Sequence, residues 1–89
     1  MVKKKDKNRT IVVPRRFFLK RIKDDSGVSG IGRVAAGVQF PSGKVVLEWL
    51  TETPSEAVYE SLEDCIKIHG HNNHTAVEWI DNIELKLIM

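Results

Sequence analysis

The 89-residue sequence predicts a small α+β domain: a mostly antiparallel β-sheet with one short α-helix. Two observations predict it. Several short apolar runs alternate with period two and are separated by Gly, Pro and Ser, as half-buried strands require. One stretch, "SLEDCIKIHG", instead has helical spacing with a signal at each end.

The elements follow in order. Residues 1–10 are polar and aperiodic, and read as a flexible basic arm ahead of a single domain over 11–89. "TIVVP" predicts a short edge strand stopped by Pro14. "RRFFLKRIK" reads as a strand with Phe17 and Leu19 on one side and Phe18 and Ile22 on the other. "DDSGVSGIG" holds three Gly and two Ser and reads as a loop with unusual backbone angles. In "RVAAGVQF", Val34, Ala36, Val38 and Phe40 share a face; in "KVVLEWL", Val45, Leu47 and Trp49 do. The intervening "PSG", with Gly last, marks a hairpin.

A strand near 56–60 precedes a helix near 61–69. Ser61 is placed to cap that helix, with Asp64 as the acidic member of a capping box. Leu62, Cys65, Ile66 and His69 fall on one helical face, and Gly70 takes the place of a C′ glycine. "TAVEWI" reads as a strand with Thr75, Val77 and Trp79 on one side. "IELKLIM" fits a last strand or a short helix that packs on the body or on a second subunit.

Composition excludes several classes. No apolar run approaches the roughly 18–20 residues of a membrane span. The basic start is not followed by an apolar stretch, so no secretory signal is expected. The single Cys65 cannot form an internal disulfide or a Cys-only zinc site, which suits a reducing cytoplasm, that of the host if the protein is viral. A chain this short buries only about 60–65% of its unfolded surface, so a homo-oligomer is expected.

Net charge is +2, but it is unevenly spread. Residues 1–23 carry ten basic side chains and one acid; residues 24–89 carry four basic side chains and eleven acids. The arm and its continuation, residues 3–23, could therefore contact a polyanion, although the acidic body would repel phosphate.

Two segments carry unusual polar chemistry. "SGVSGIGR" offers backbone N–H groups and two hydroxyls that can converge on an oxygen-rich anion. Its candidate ligands are Ser26, Gly27, Ser29, Gly30 and Gly32, with Arg33 adding charge-assisted bonds. It is neither a P-loop nor a dinucleotide fingerprint, since a strand follows it. "HGHNNH" supplies donors and acceptors suited to a base edge, a ribose or a phosphate; His69, His71 and Asn72 are its candidate contacts, and Tyr59 could stack on a base. Cys65, His69, His71 and His74 could be drawn as a metal site. Their spacing matches no established zinc pattern, and Cys65 shares a face with aliphatics, so no metal and no cofactor are expected. No nucleophile elbow or paired catalytic His motif is present, so a non-enzymatic protein is expected.

"DDSGVSGIGRVAAGVQFPSGKVVLEW" followed by "VYESLEDCIKIHGHNNHTAVEWID" resembles a family of short proteins from bacteriophages, bacteria and archaea. That family carries an S-G-V-S-G-x-G loop and an I-H-G-H segment followed by T-x-x-x-W. The resemblance spans residues 16–81. Here Asn72, Asn73 and His74 stand where relatives are often Gly-rich, and the Lys-rich leader and the tail after Asp81 look like additions. The resemblance implies a small phage protein that acts by binding, such as a host-defence inhibitor that sequesters a signalling nucleotide. The leading expectation is thus a binder of an anionic, phosphorylated or nucleotide-like small molecule. The alternatives are a nucleic-acid- or host-protein-binding regulator that uses the basic arm, and a metal-dependent enzyme.

Overall fold

A computed structural model describes residues 10–22, 31–70 and 74–87. The elements are β1 (Thr10–Val12), β2 (Arg15–Arg21), β3 (Gly32–Gln39), β4 (Val45–Trp49), β5 (Glu56–Tyr59), α1 (Leu62–His69), β6 (Thr75–Trp79) and β7 (Leu85–Leu87). Five strands form an antiparallel sheet in the order β5-β4-β3-β2-β6, while β1 and β7 pair as a separate two-stranded ribbon. The fold is α+β, as the alternation and the single capped helix predict.

Register sorts the sheet's side chains onto two faces, because residues paired across antiparallel strands point the same way. Phe17 pairs with Gly37 and Trp79; Gly37 pairs with Leu47, and Leu47 with Ala57. Leu19 pairs with Ala35 and Val77, and Ala35 with Trp49. This is the core face. Phe17, Leu19, Ala35, Val45, Leu47 and the helix's Cys65 are fully buried, and Leu62 and Ile66 pack on them from α1. Burying one large aliphatic or aromatic side chain contributes about 1.5–3 kcal/mol. Gly37 is on this face because the Phe17 ring lies directly over it; a Cβ there would overlap the ring.

Two local expectations change. Val34 does not share a face with Ala36 and Val38. The β2–β3 register shifts between Leu19 and Lys20, and this bulge leaves Val34 and Ala35 both buried, while Ala36 and Val38 lie on the open face. Gly70 ends α1 with a right-handed φ of −70°, not as a left-handed cap. It donates to the Ile66 carbonyl at 2.7 Å, and glycine is favoured by space, since a Cβ would sit 2.6 Å from that oxygen.

The other caps match the sequence. Ser61 Oγ accepts from the Asp64 N–H at 3.0 Å. Gly43 closes the β3–β4 hairpin with φ +95° and donates to the Phe40 carbonyl.

Candidate functional site at the end of strand β2

The alternation that buries Phe17 and Leu19 reaches one residue further, to Arg21. Arg21 is only 2% exposed. Its Nε donates to Thr75 Oγ1 at 3.0 Å, and Thr75 is itself buried. Its Nη2 is buried and has no hydrogen-bond partner among the described residues. A guanidinium stays charged at any ordinary pH. Burying such a charge without full pairing costs several kcal/mol. A buried donor without a described partner is therefore the strongest chemical signal among the described residues.

Arg21 pairs with Gly32 on one side and Thr75 on the other. The next residue, Ile22, donates its N–H to the His74 carbonyl at 2.8 Å. The chain leaves this end of the sheet after Ile22 and returns to it at Gly32; likewise it leaves α1 at Gly70 and enters β6 at Thr75. Both polar loops singled out in the sequence are thus anchored beside Arg21. Ser26, Gly27, Ser29, Gly30, His71 and Asn72 lie outside the described residues. Gly32 is described: it holds φ +84°, a backbone shape that favours glycine.

The helix end joins the same cluster. Gly70 O accepts from the Thr75 N–H at 3.1 Å, so the residue after His69 is tied to the one that holds Arg21. His69 Nε2 lies 2.6 Å from the Tyr59 hydroxyl. The Trp49 ring meets the His69 ring edge-on, with centroids 4.9 Å apart. Burial, with a further contribution from Cys65, holds the Tyr59 hydroxyl above its usual pKa. Tyr59 is therefore a partner of His69, and Trp49 packs beside it. Burial also raises the Cys65 thiol, which faces the core. No cluster of three or more His, Cys, Asp or Glu side chains suited to a metal occurs among the described residues.

Arg33 does not join Arg21. Its side chain lies over Phe18 at 4.7 Å and pairs with Glu78 at 2.7 Å, on the opposite face of the sheet. The hydrogen bond from Arg33 holds Glu78 below its usual pKa. Other basic residues of the 3–23 stretch are also engaged within the domain. The Arg15 guanidinium lies 3.6 Å over the Trp79 ring. Arg16 grips Asp81 through both carboxylate oxygens at 2.9 and 3.0 Å, which holds the Asp81 carboxyl down to about 2.

Counting charges places Arg21 with the basic arm and misses it as a site residue. The signal was present in the period of two, which carries the core face from Phe17 through Leu19 to Arg21.

No described helix is long and apolar enough to cross a membrane. Comparison with curated proteins and with solved structures finds no match. Comparison with protein families finds one described as "Acb5 phage protein", which matches residues 14–81. That span takes in the main sheet, the helix and Arg21, and the chain belongs to this Acb5 phage protein family.

Proposed function

We propose that this phage protein binds and sequesters an anionic small molecule, phosphorylated or nucleotide-like, at the Arg21 end of the sheet. The observation that carries this reading is the buried guanidinium with an unmatched Nη2, set between the anchors of two polar loops. A phosphate oxygen would supply the missing acceptor and the missing negative charge together. The residues of 26–30 and 71–72 are placed in sequence to add hydroxyl, backbone and imidazole donors around it. Sequestration of a signalling nucleotide by such a site would serve a phage as inhibition of a host defence.

A second reading, cleavage of the bound phosphoester, is favoured by one observation: the 2.6 Å contact between Tyr59 and His69. A Tyr–His pair can hold and pass a proton. The polyanion reading has less support, because Arg15 and Arg16 are engaged within the domain and Arg21 is buried.

Native mass spectrometry of protein recovered from infected cells tests the proposal. Wild type is expected to retain a small phosphorylated molecule that Arg21→Met protein lacks. Equal retention by both, or a bare spectrum for wild type across a nucleotide library, argues against it. Incubation of the bound molecule with wild type and with His69→Ala separates the two readings. An unchanged molecule supports sequestration; products formed only by wild type support cleavage.

A further inference from the structure

Strand β6 turns Thr75, Val77 and Trp79 toward the core face, so its first inward position holds a hydroxyl where the next two hold apolar side chains. Register places that hydroxyl. Thr75 stands directly across from Arg21, and paired side chains leave an antiparallel sheet on the same side. Thr75 is only 6% exposed. It is also held in place. Its branched Cβ makes the first side-chain torsion stiff. Its N–H donates to the Gly70 carbonyl at 3.1 Å, and the carbonyl of the preceding His74 accepts from Ile22.

Another arginine of strand β2 shows what one edge of a guanidinium holds. Arg16 uses Nε and Nη2, the two parallel donors of that edge, to grip the two carboxylate oxygens of Asp81 at 3.0 and 2.9 Å. Arg21 presents the same edge to Thr75. Its Nε donates to Thr75 Oγ1 at 3.0 Å, and its Nη2 is buried without a partner among the described residues. Thr75 Oγ1 thus takes the place of one carboxylate oxygen, and Nη2 is the donor that remains for the other.

A hydroxyl that accepts from Nε keeps its own proton to donate. An oxygen held by Nη2 would lie beside Oγ1, at roughly the 2.5–2.7 Å of an O–H···O⁻ bond. That separation is a little wider than the spacing of the two oxygens in a carboxylate, so it fits the same edge. Nη2 and the Thr75 hydroxyl then direct two donors at one atom. An anionic oxygen accepts both, whereas a ligand N–H would meet donors only.

We infer that Thr75 is a ligand-binding and specificity-determining residue: its hydroxyl accepts from Arg21 Nε and donates to the same anionic oxygen that Arg21 Nη2 holds. The inference rests on the reading of Arg21 as an anion site, and adds the demand that the bound group be a deprotonated oxyanion.

Calorimetric titration of the full chain with inorganic phosphate, and separately with a nucleoside monophosphate, tests it. Thr75→Val is expected to bind both probes about tenfold more weakly than wild type, or weaker still, through loss of one hydrogen bond to a charged group. Thr75→Ser keeps the hydroxyl and is expected to restore wild-type affinity. A packing role predicts the reverse order, since valine fills the volume of threonine and serine does not. Thr75→Ala takes the place of Thr75→Val if the latter fails to fold by circular dichroism. Wild-type affinity in the variant without a hydroxyl, or a Thr75→Ser protein as weak as that variant, overturns the inference; the Arg21 reading still stands if Arg21→Met fails to bind. Equal binding by wild type and Arg21→Met, or no binding by wild type, overturns both.

Discussion

The two faces of the central sheet use the same strands in opposite ways. Phe17, Leu19, Val45 and Leu47 on the core face are sealed under α1, and among the described residues the only charged side chain buried with them is Arg21. The open face mixes Val38, Val46 and Val58 with Glu48, Glu56 and Arg16, and its ions pair at the surface. Among the described residues the core face's charge lacks a partner for Nη2, whereas the charges of the open face meet counter-ions or each other. Apolar burial on one side thus encloses an incompletely paired guanidinium; the other side leaves its charges at the surface.

Substitutions can break this contrast. The largest effect is expected at the centre of the core face. Phe17→Ala should cost about 3–5 kcal/mol in chemical denaturation, since the ring fills the space over Gly37 and meets Trp79 edge-on at 5.3 Å. Val46→Ala on the open face should cost only about 1 kcal/mol.

Arg21→Met sharpens the contrast because its sign is reversed. Without ligand, replacing the incompletely paired charge by an apolar chain of similar volume should leave stability unchanged or raise it by about 1–4 kcal/mol. A loss of several kcal/mol in ligand-free protein would show that Arg21 is a structural tie to Thr75 and not a waiting ligand group. Tyr59→Phe should cost about 0.5–1.5 kcal/mol, by loss of the bond to His69. Its check is a urea midpoint at constant slope.

The smallest effect belongs to the exposed Arg16–Asp81 pair. The Asp81 carboxyl titrates at about 2 in the folded chain against an ordinary 3.8. Its contribution is complete above the unfolded value and is lost as pH falls from about 4 toward 2. Asp81→Asn should therefore remove part of the wild-type loss of stability over that window. Urea midpoints measured from pH 5 to pH 2 check this, and parallel profiles for the two proteins would refute it.

Much of the fold was legible because its signals are local. "PSG" fixes the β3–β4 hairpin, Ser61 caps α1, and the alternation of Thr75, Val77 and Trp79 places β6 against the core. Val34 was misplaced because a bulge depends on pairing between Leu19 and Lys20 of one strand and their β3 partners, which one strand's sequence cannot display. The site was only half legible. Loop composition singled out two segments that prove to be anchored at one end of the sheet, beside Arg21. Arg33 drew attention as the nearest cation in sequence, yet the same bulge places it with Glu78 on the other face. Arg21 was hidden among neighbouring basic residues, where charge count obscured its position in the strand's alternation.

Thermal denaturation of wild type and Arg21→Met across a titration of a nucleoside monophosphate tests the anion site most directly. Wild type should gain stability with ligand, by about 2.7 kcal/mol at one hundred times the dissociation constant, while Arg21→Met stays flat. An equal rise in both proteins, or no rise in wild type with any phosphorylated ligand, would contradict it.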